Sequence, residues 1–338
     1  MNDWLGFSLV VLGGVMQGTY FLGLKYVHPW KWENIWGLYA LLALLALPIA
    51  LAVATVPHIG GVFAQAPNSA VSKVFLYGAG WGIGSVLSGL GVARMGLAMG
   101  VSVLIGVTAA IGTFVPLIVN SPELVFTHKG MLVILSVVTL LLGVGLVAVA
   151  GKKRDASLAN SANPVQQGGF GAGLAICIFS GIFSAMLNLA FAFSQPVVKA
   201  GIGTGASQFG ALNAVWMIAL AGGFLANGIY TAYLLTRNHT WTNFALPGTG
   251  RFWSYGLGMA VLWTGGVVLY GRGAASMGQT GAVIGWPLFM ATMILASTIW
   301  GFLTGEWKGS SSHARQYMLA GLIVLMIASG LVGAANRM

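Results

Sequence analysis

The sequence predicts an all-α integral membrane protein: ten transmembrane helices in two inverted five-helix repeats. Three observations point there. The 338-residue chain is 57% hydrophobic, carries only 6% charged residues and has a mean hydropathy of +0.88. A soluble domain needs about 25% charged residues, so this chain is far too apolar for a water-facing surface. Ten stretches reach the ~20 mostly apolar residues that a spanning helix requires. The one clearly hydrophilic stretch separates the first five from the last five.

The spans are placed at 5–24, 33–55, 74–93, 97–119, 130–150, 171–194, 207–235, 252–271, 279–304 and 316–336. The first follows Met-Asn-Asp-Trp, with no basic residues before it and no small-x-small cleavage site after it. It reads as a retained helix and not a cleaved leader. The fifth, Met131–Ala150, is apolar on every face. A membrane β-barrel would instead alternate polar and apolar over ~10 residues. Helices also satisfy their own backbone groups where there is no water to do so. Pro116, Pro196 and Pro287 fall within or at the end of the fourth, sixth and ninth spans, as kinks or as gating hinges.

Net charge is +10, from 15 Lys+Arg against 5 Asp+Glu. The basic residues are scattered, apart from Lys152-Lys153-Arg154, and form no stripe interleaved with aromatics. That excludes nucleic acid as a partner. They fall instead as a membrane protein distributes them. The loops after spans 1, 3, 5, 7 and 9 hold 10 Lys+Arg, and the opposite side, with both termini, holds 5. The positive-inside rule puts the first set in the cytoplasm and both termini outside.

Gly151–Gly168, GKKRDASLANSANPVQQG, reads as an irregular cytoplasmic linker. It divides a first repeat, 1–150, from a second, 169–338. Gly14, Gln17 and Gly18 align with Gly181, Ser184 and Ala185. Tyr77-Gly-Ala-Gly and Tyr255-Gly-Leu-Gly open the third and eighth spans, and Met95-Gly96 and Met277-Gly278 close them. With five spans per copy, the second must enter the membrane from the opposite face. Inverted repeats of this kind give alternating access around a site at mid-depth. The 51 glycines are about twice the usual ~7%. Many stand at small-xxx-small spacing, such as Gly14 and Gly18 or Gly78 and Gly82, which brings helices close in lipid; the same faces would serve sliding during a transport cycle.

Enzyme chemistry is not legible. No His pair stands at i, i+4, and there is no phosphate-cradling Gly-rich loop, nucleophile elbow or carboxylate pair. No metal and no cofactor is expected. The five acids (Asp3, Glu33, Glu123, Asp155, Glu306) all lie at or near the membrane surfaces. A charged solute would call for a partner charge at mid-depth, so the solute is read as neutral, and tryptophan rings with amides and hydroxyls suit a monosaccharide. Candidate substrate-binding residues are Gln17, Trp81, Ser85, Asn188, Trp263, Gln279 and Trp286, the last two seven apart on one face of span 9. Each has a plain structural alternative: packing or headgroup anchoring for tryptophan, an interhelical hydrogen bond for the amides, a bond to its own helix for Ser85. Glu33 and Glu306, both beside tryptophan, are the candidates for proton coupling. Glu33 would equally serve the dipole of the helix it opens.

Tyr77-Gly-Ala-Gly-Trp-Gly-Ile-Gly through Arg94-Met-Gly-Leu-Ala-Met-Gly to Gly112-Thr-Phe-Val-Pro-Leu-Ile resembles the L-rhamnose–proton symporter family. So do Lys25 with Trp30-Lys-Trp-Glu-Asn-Ile-Trp36, Gly181-Ile-Phe-Ser-Ala185 and Glu306-Trp307. The resemblance covers most of the chain. It implies a member of the drug/metabolite transporter superfamily in a bacterial inner membrane, importing a 6-deoxyhexose with protons. Two departures, Ser85 in place of the family's Asn and no acid in Gly278–Phe289, widen the implied substrate to the L-rhamnose or L-fucose class. The alternative is an exporter of drugs or small metabolites from the same superfamily.

Overall fold

The computed structural model describes residues 3–95, 97–158 and 170–338, and among them no β-strand occurs. Ten helices are long and apolar enough to cross a membrane: α1 (Trp4–Tyr26), α2 (Trp32–Thr55), α3 (Asn68–Val92), α4 (Gly100–Asn120), α5 (His128–Ser157), α6 (Gly171–Gly203), α7 (Gln208–Arg237), α8 (Gly250–Ser276), α9 (Gly278–Leu303) and α10 (Ser312–Asn336). Each takes up one of the ten apolar stretches of the sequence. Ser207 and Ser311 cap α7 and α10, their hydroxyls accepting from the amides of Gly210 at 3.1 Å and Ala314 at 3.2 Å, the usual way to satisfy a helix's first donors.

Packing between the first and last five helices is reciprocal. α1 lies against α8 and α9, while α6 lies against α3 and α4; α2 meets α7, and α5 meets α10. Glycine sets the closest approaches. A β-carbon on Gly13 of α1 would stand 2.6 Å from the Gly266 carbonyl of α8, and one on Gly82 of α3 would stand 2.5 Å from the Gly223 carbonyl of α7. Only bare backbone fits there.

Proline releases backbone acceptors, and side chains from the second half take them up. In α2 the turn at Leu42–Ala46 widens to a π-helix ahead of Pro48. Pro48 has no N–H to offer the Ala43 carbonyl, which accepts instead from the Thr264 hydroxyl of α8 at 2.9 Å. In α4, Pro116 lies inside the helix and leaves the Gly112 carbonyl without its i+4 donor. The Asn188 amide of α6 donates to Gly112 at 2.7 Å and to the Ala282 carbonyl of α9 at 3.1 Å.

One expectation is corrected. The stretch from Gly151, read as irregular linker, is helical through Leu158; residues 159–168 lie outside the described residues. Its charged composition reads as loop, yet tertiary partners hold it as helix. The Arg154 guanidinium packs over Trp307 at 5.3 Å and faces Glu306 at 3.6 Å. The Ser311 amide donates to the Ser157 hydroxyl at 3.2 Å.

Candidate substrate site

The bundle has a terminal end, where α1 begins and α8 finishes, and an opposite end, where α2 begins and α7 finishes. Most of the candidate residues fall into two clusters at different depths between them.

The cluster nearer the opposite end joins α2, α3, α7 and α8. Its centre is Asn227 of α7, 1% exposed. The Asn227 Oδ1 accepts from the Trp36 indole at 3.1 Å and the Ser85 hydroxyl at 3.3 Å. Its Nδ2 donates to the Gly223 carbonyl at 3.0 Å. The Trp81 and Trp263 rings meet at 5.1 Å, and Tyr39 stands edge-on to Trp263 at 6.3 Å. Trp36, Trp81 and Ser85 are half-buried, although all three lie within spanning helices. Gln17 touches the same group from α1, its amide donating to the Trp263 carbonyl at 2.9 Å. Four of the expected residues, Gln17, Trp81, Ser85 and Trp263, thus come together. Every side chain named in the cluster is uncharged, so it can offer a solute aromatic faces, one hydroxyl and an amide.

The cluster nearer the terminal end joins α4, α6, α7, α8 and α9, and it is closed. Asn188 is fully buried, and Trp286 is 2% exposed. The Asn188 Oδ1 accepts from the Tyr270 hydroxyl, and the Trp286 indole donates to the Thr108 carbonyl at 3.1 Å. Phe191, Trp216 and Phe289 fill the space around Tyr270. Here Asn188 has both N–H groups and an oxygen lone pair engaged, and its present work is to knit helices.

Gln279 joins neither cluster. It sits exposed in the 3-10 turn Gly278–Thr280, reached through Gly278 at φ +74°. The turn carries it off the face that Trp286 presents.

Both candidate acids sit at the opposite end. Glu33 is 5% exposed, and its Oε1 accepts from Asn238 and Thr240 of the α7–α8 connection, each at 3.0 Å. The same connection is held by Asn34 donating to the Thr240 carbonyl at 2.8 Å and Trp30 donating to the Asn243 carbonyl at 2.8 Å. Glu306 pairs with Lys25 as well as Arg154, and Lys25 also donates to the Thr304 hydroxyl at 2.7 Å. Among the described residues, no three His, Cys, Asp or Glu side chains come together as a metal site would require.

Sequence reasoning missed Trp36, Tyr39, Asn227 and Tyr270. Asn227 shares its span with Asn213, so no single amide stood out there as Asn188 does in its own span. Trp36 was read only as the end of the Trp30–Trp36 segment that carries the family resemblance.

Ten apolar helices define a polytopic membrane protein, and the uncharged aromatic and amide cluster between them has the chemistry of a candidate site for a small neutral solute. A family model described as L-rhamnose-proton symport protein matches residues 4–337. L-rhamnose-proton symporters of Citrobacter koseri and Salmonella gallinarum are each 26% identical over 345 residues, covering 97% of this chain and 97% of the relative. The chain belongs to the L-rhamnose-proton symport protein family, a bacterial family of transporters and not of enzymes.

Proposed function

We propose that this protein imports a neutral 6-deoxyhexose of the L-rhamnose or L-fucose class together with protons across a bacterial inner membrane. The observation that carries the reading is the uncharged cluster in which half-buried Trp36, Trp81 and Ser85 surround buried Asn227 and Trp263, in a chain whose family is named for L-rhamnose–proton symport. A pyranose has an apolar face for the rings and hydroxyls that both donate and accept. Asn227 and Ser85 can exchange their present mutual bond for bonds to those hydroxyls.

Alternating access between two inverted repeats, 1–150 and 169–338, is the transport mechanism of this reading. The reciprocal packing supports it: α1 on α8 and α9, α6 on α3 and α4. Both termini then lie on the periplasmic side, and the ends of Glu33 and Glu306 face the cytoplasm. These two carboxylates fasten the halves to each other, Glu33 through Asn238 and Thr240, Glu306 through Lys25. A proton taken up by either removes a charge from that fastening, which is how proton movement and opening of the cytoplasmic end become linked. Glu33 is the first choice, Glu306 the second. The exporter reading gains nothing from the site, which offers a cationic drug no carboxylate.

The test is uptake of labelled L-rhamnose and L-fucose into membrane vesicles with and without an imposed pH gradient. Accumulation that collapses with the gradient is expected. Uptake indifferent to the gradient removes the proton, and uptake of neither sugar removes the substrate class.

A further inference from the structure

We propose that Asn213 and Trp216 of α7 form a second sugar-binding subsite at the terminal end of the bundle, distinct from the Asn227 cleft. The proposal rests on the transport reading above. Among the described residues, four buried side-chain atoms have no hydrogen-bond partner: Thr113 Oγ1, Asn213 Oδ1, Trp216 Nε1 and Thr231 Oγ1. Such atoms cost stability and are rare for that reason. Three of the four are on α7.

Their spacing puts them on one side of that helix. Asn213 and Thr231 are about five turns apart, and Trp216 and Asn227 about three, so all four residues share a face. That face carries the Asn227 cluster at one depth and the Asn213–Trp216 pair about 16–21 Å away along the helix. α7 therefore presents polar groups to both halves of the membrane along one line, the arrangement a solute path requires.

The local chemistry is that of the first cleft. Asn213 and Trp216 are each 1% exposed and one turn apart. The Asn213 Nδ2 donates to the Thr55 hydroxyl at 3.0 Å, which leaves its Oδ1 as a free acceptor one helical turn from the Trp216 N–H donor. Phe191 stacks on Trp216 with centroids 5.8 Å apart and planes 7° from parallel, and Tyr270 closes the group at 6.5 Å. One acceptor, one donor and flat apolar rings are the groups that hydroxyls and the apolar face of a neutral pyranose would use. The Trp216 indole edge rests on bare backbone, for a β-carbon on Gly271 would lie 2.6 Å from its Nε1. Beside that contact the Arg272 guanidinium of α8 lies over the Phe209 ring of α7 at 4.9 Å, and no hydrogen bond joins Trp216 to α8 among the described residues. When the two helices part, Oδ1 and Nε1 are the groups uncovered, and a sugar arriving from the terminal end meets them first.

Trp216→Phe keeps an aromatic ring and deletes the donor; Asn213→Leu keeps the volume and deletes the acceptor together with the Nδ2 bond to Thr55. Labelled L-rhamnose and L-fucose are offered to each face in right-side-out and inside-out vesicles. Each variant is expected to raise half-saturation about three- to tenfold from the terminal face, the worth of one hydrogen bond, and less than about twofold from the other. Removal of an orphaned buried group favours each variant while the lost indole volume or the lost Thr55 bond opposes it, so the apparent melting temperature of each is expected to stay close to that of the wild type. Equal effects from both faces, or a lowered melting temperature with proportionate loss from both, would mean a structural role and overturn the subsite. Variants matching a transporting wild type also remove the subsite and leave the transport reading standing. A wild type that moves neither sugar sinks the transport reading and the subsite with it.

Discussion

The Asn188 amide of α6 donates, at 2.7 Å, to the Gly112 carbonyl of α4, the acceptor that Pro116 strands by lacking an N–H four residues on. The same amide reaches Ala282 of α9, so one side chain ties together two helices that each contain a proline. Asn188→Ala leaves both carbonyls and the Tyr270 hydroxyl without their bonds in a closed core. A loss of about 2–4 kcal/mol is expected, read as a fall in melting temperature in detergent. Pro116→Ala restores a donor to Gly112, so the Asn188→Ala penalty shrinks in that background by about 1 kcal/mol. Strict additivity of the two changes would show that the proline and the asparagine are not coupled.

The glycine crossings give a sharp contrast. Gly82→Ala forces a methyl group to within 2.5 Å of the Gly223 carbonyl and drives α3 from α7, costing about 1–3 kcal/mol. Gly60→Ala meets nothing within 4 Å and leaves stability unchanged. The yield of monodisperse protein after heating, compared across the pair, reads the difference.

Asn227 is expected to set affinity. Asn227→Leu removes the oxygen shared by Trp36 and Ser85, and sugar half-saturation rises about tenfold. Ser85→Ala removes one weaker bond and raises it less. Concentration dependence of initial uptake rates measures both, and a normal half-saturation in Asn227→Leu would put the sugar elsewhere.

Glu33→Gln keeps an oxygen able to accept from Asn238 and Thr240 but takes away the ionisable group. If Glu33 carries the proton, the variant exchanges sugar across the membrane at a near-normal rate and no longer accumulates it against a gradient. Gradient-driven accumulation that survives in Glu33→Gln moves the role to Glu306.

Glu306→Gln breaks the pairs with Lys25 and Arg154. The Glu306 and Lys25 side chains are 40% and 34% exposed, so the stability cost stays below about 1 kcal/mol and fades as salt is added. Melting curves at low and high ionic strength test this.

The ten spans were readable from hydropathy, because lipid imposes length and apolarity on each helix separately. What sequence hid depends on contacts between distant parts of the chain. Gly151–Leu158 has a loop's composition and becomes helix because Trp307 and Glu306 receive Arg154. Gln279 was placed on the face of Trp286 by its seven-residue spacing, but the turn at Gly278–Thr280 takes it out of that helix. The candidate residues were expected to share one site, whereas Asn188 and Trp286 stand in a closed cluster apart from Trp81, Ser85 and Trp263. Asn227 went unnoticed because its meaning comes from Trp36 and Ser85, 191 and 142 residues away.

The ion pairs of Lys25 and Arg154 with Glu306 fasten only one end of the bundle. Anionic phospholipid headgroups compete for such cations within a Debye length of the surface. Under the proposed alternating access, the acidity of one leaflet therefore bears directly on how firmly that end stays shut, and bilayers differing only in headgroup charge are expected to hold the carrier in different proportions of its two postures.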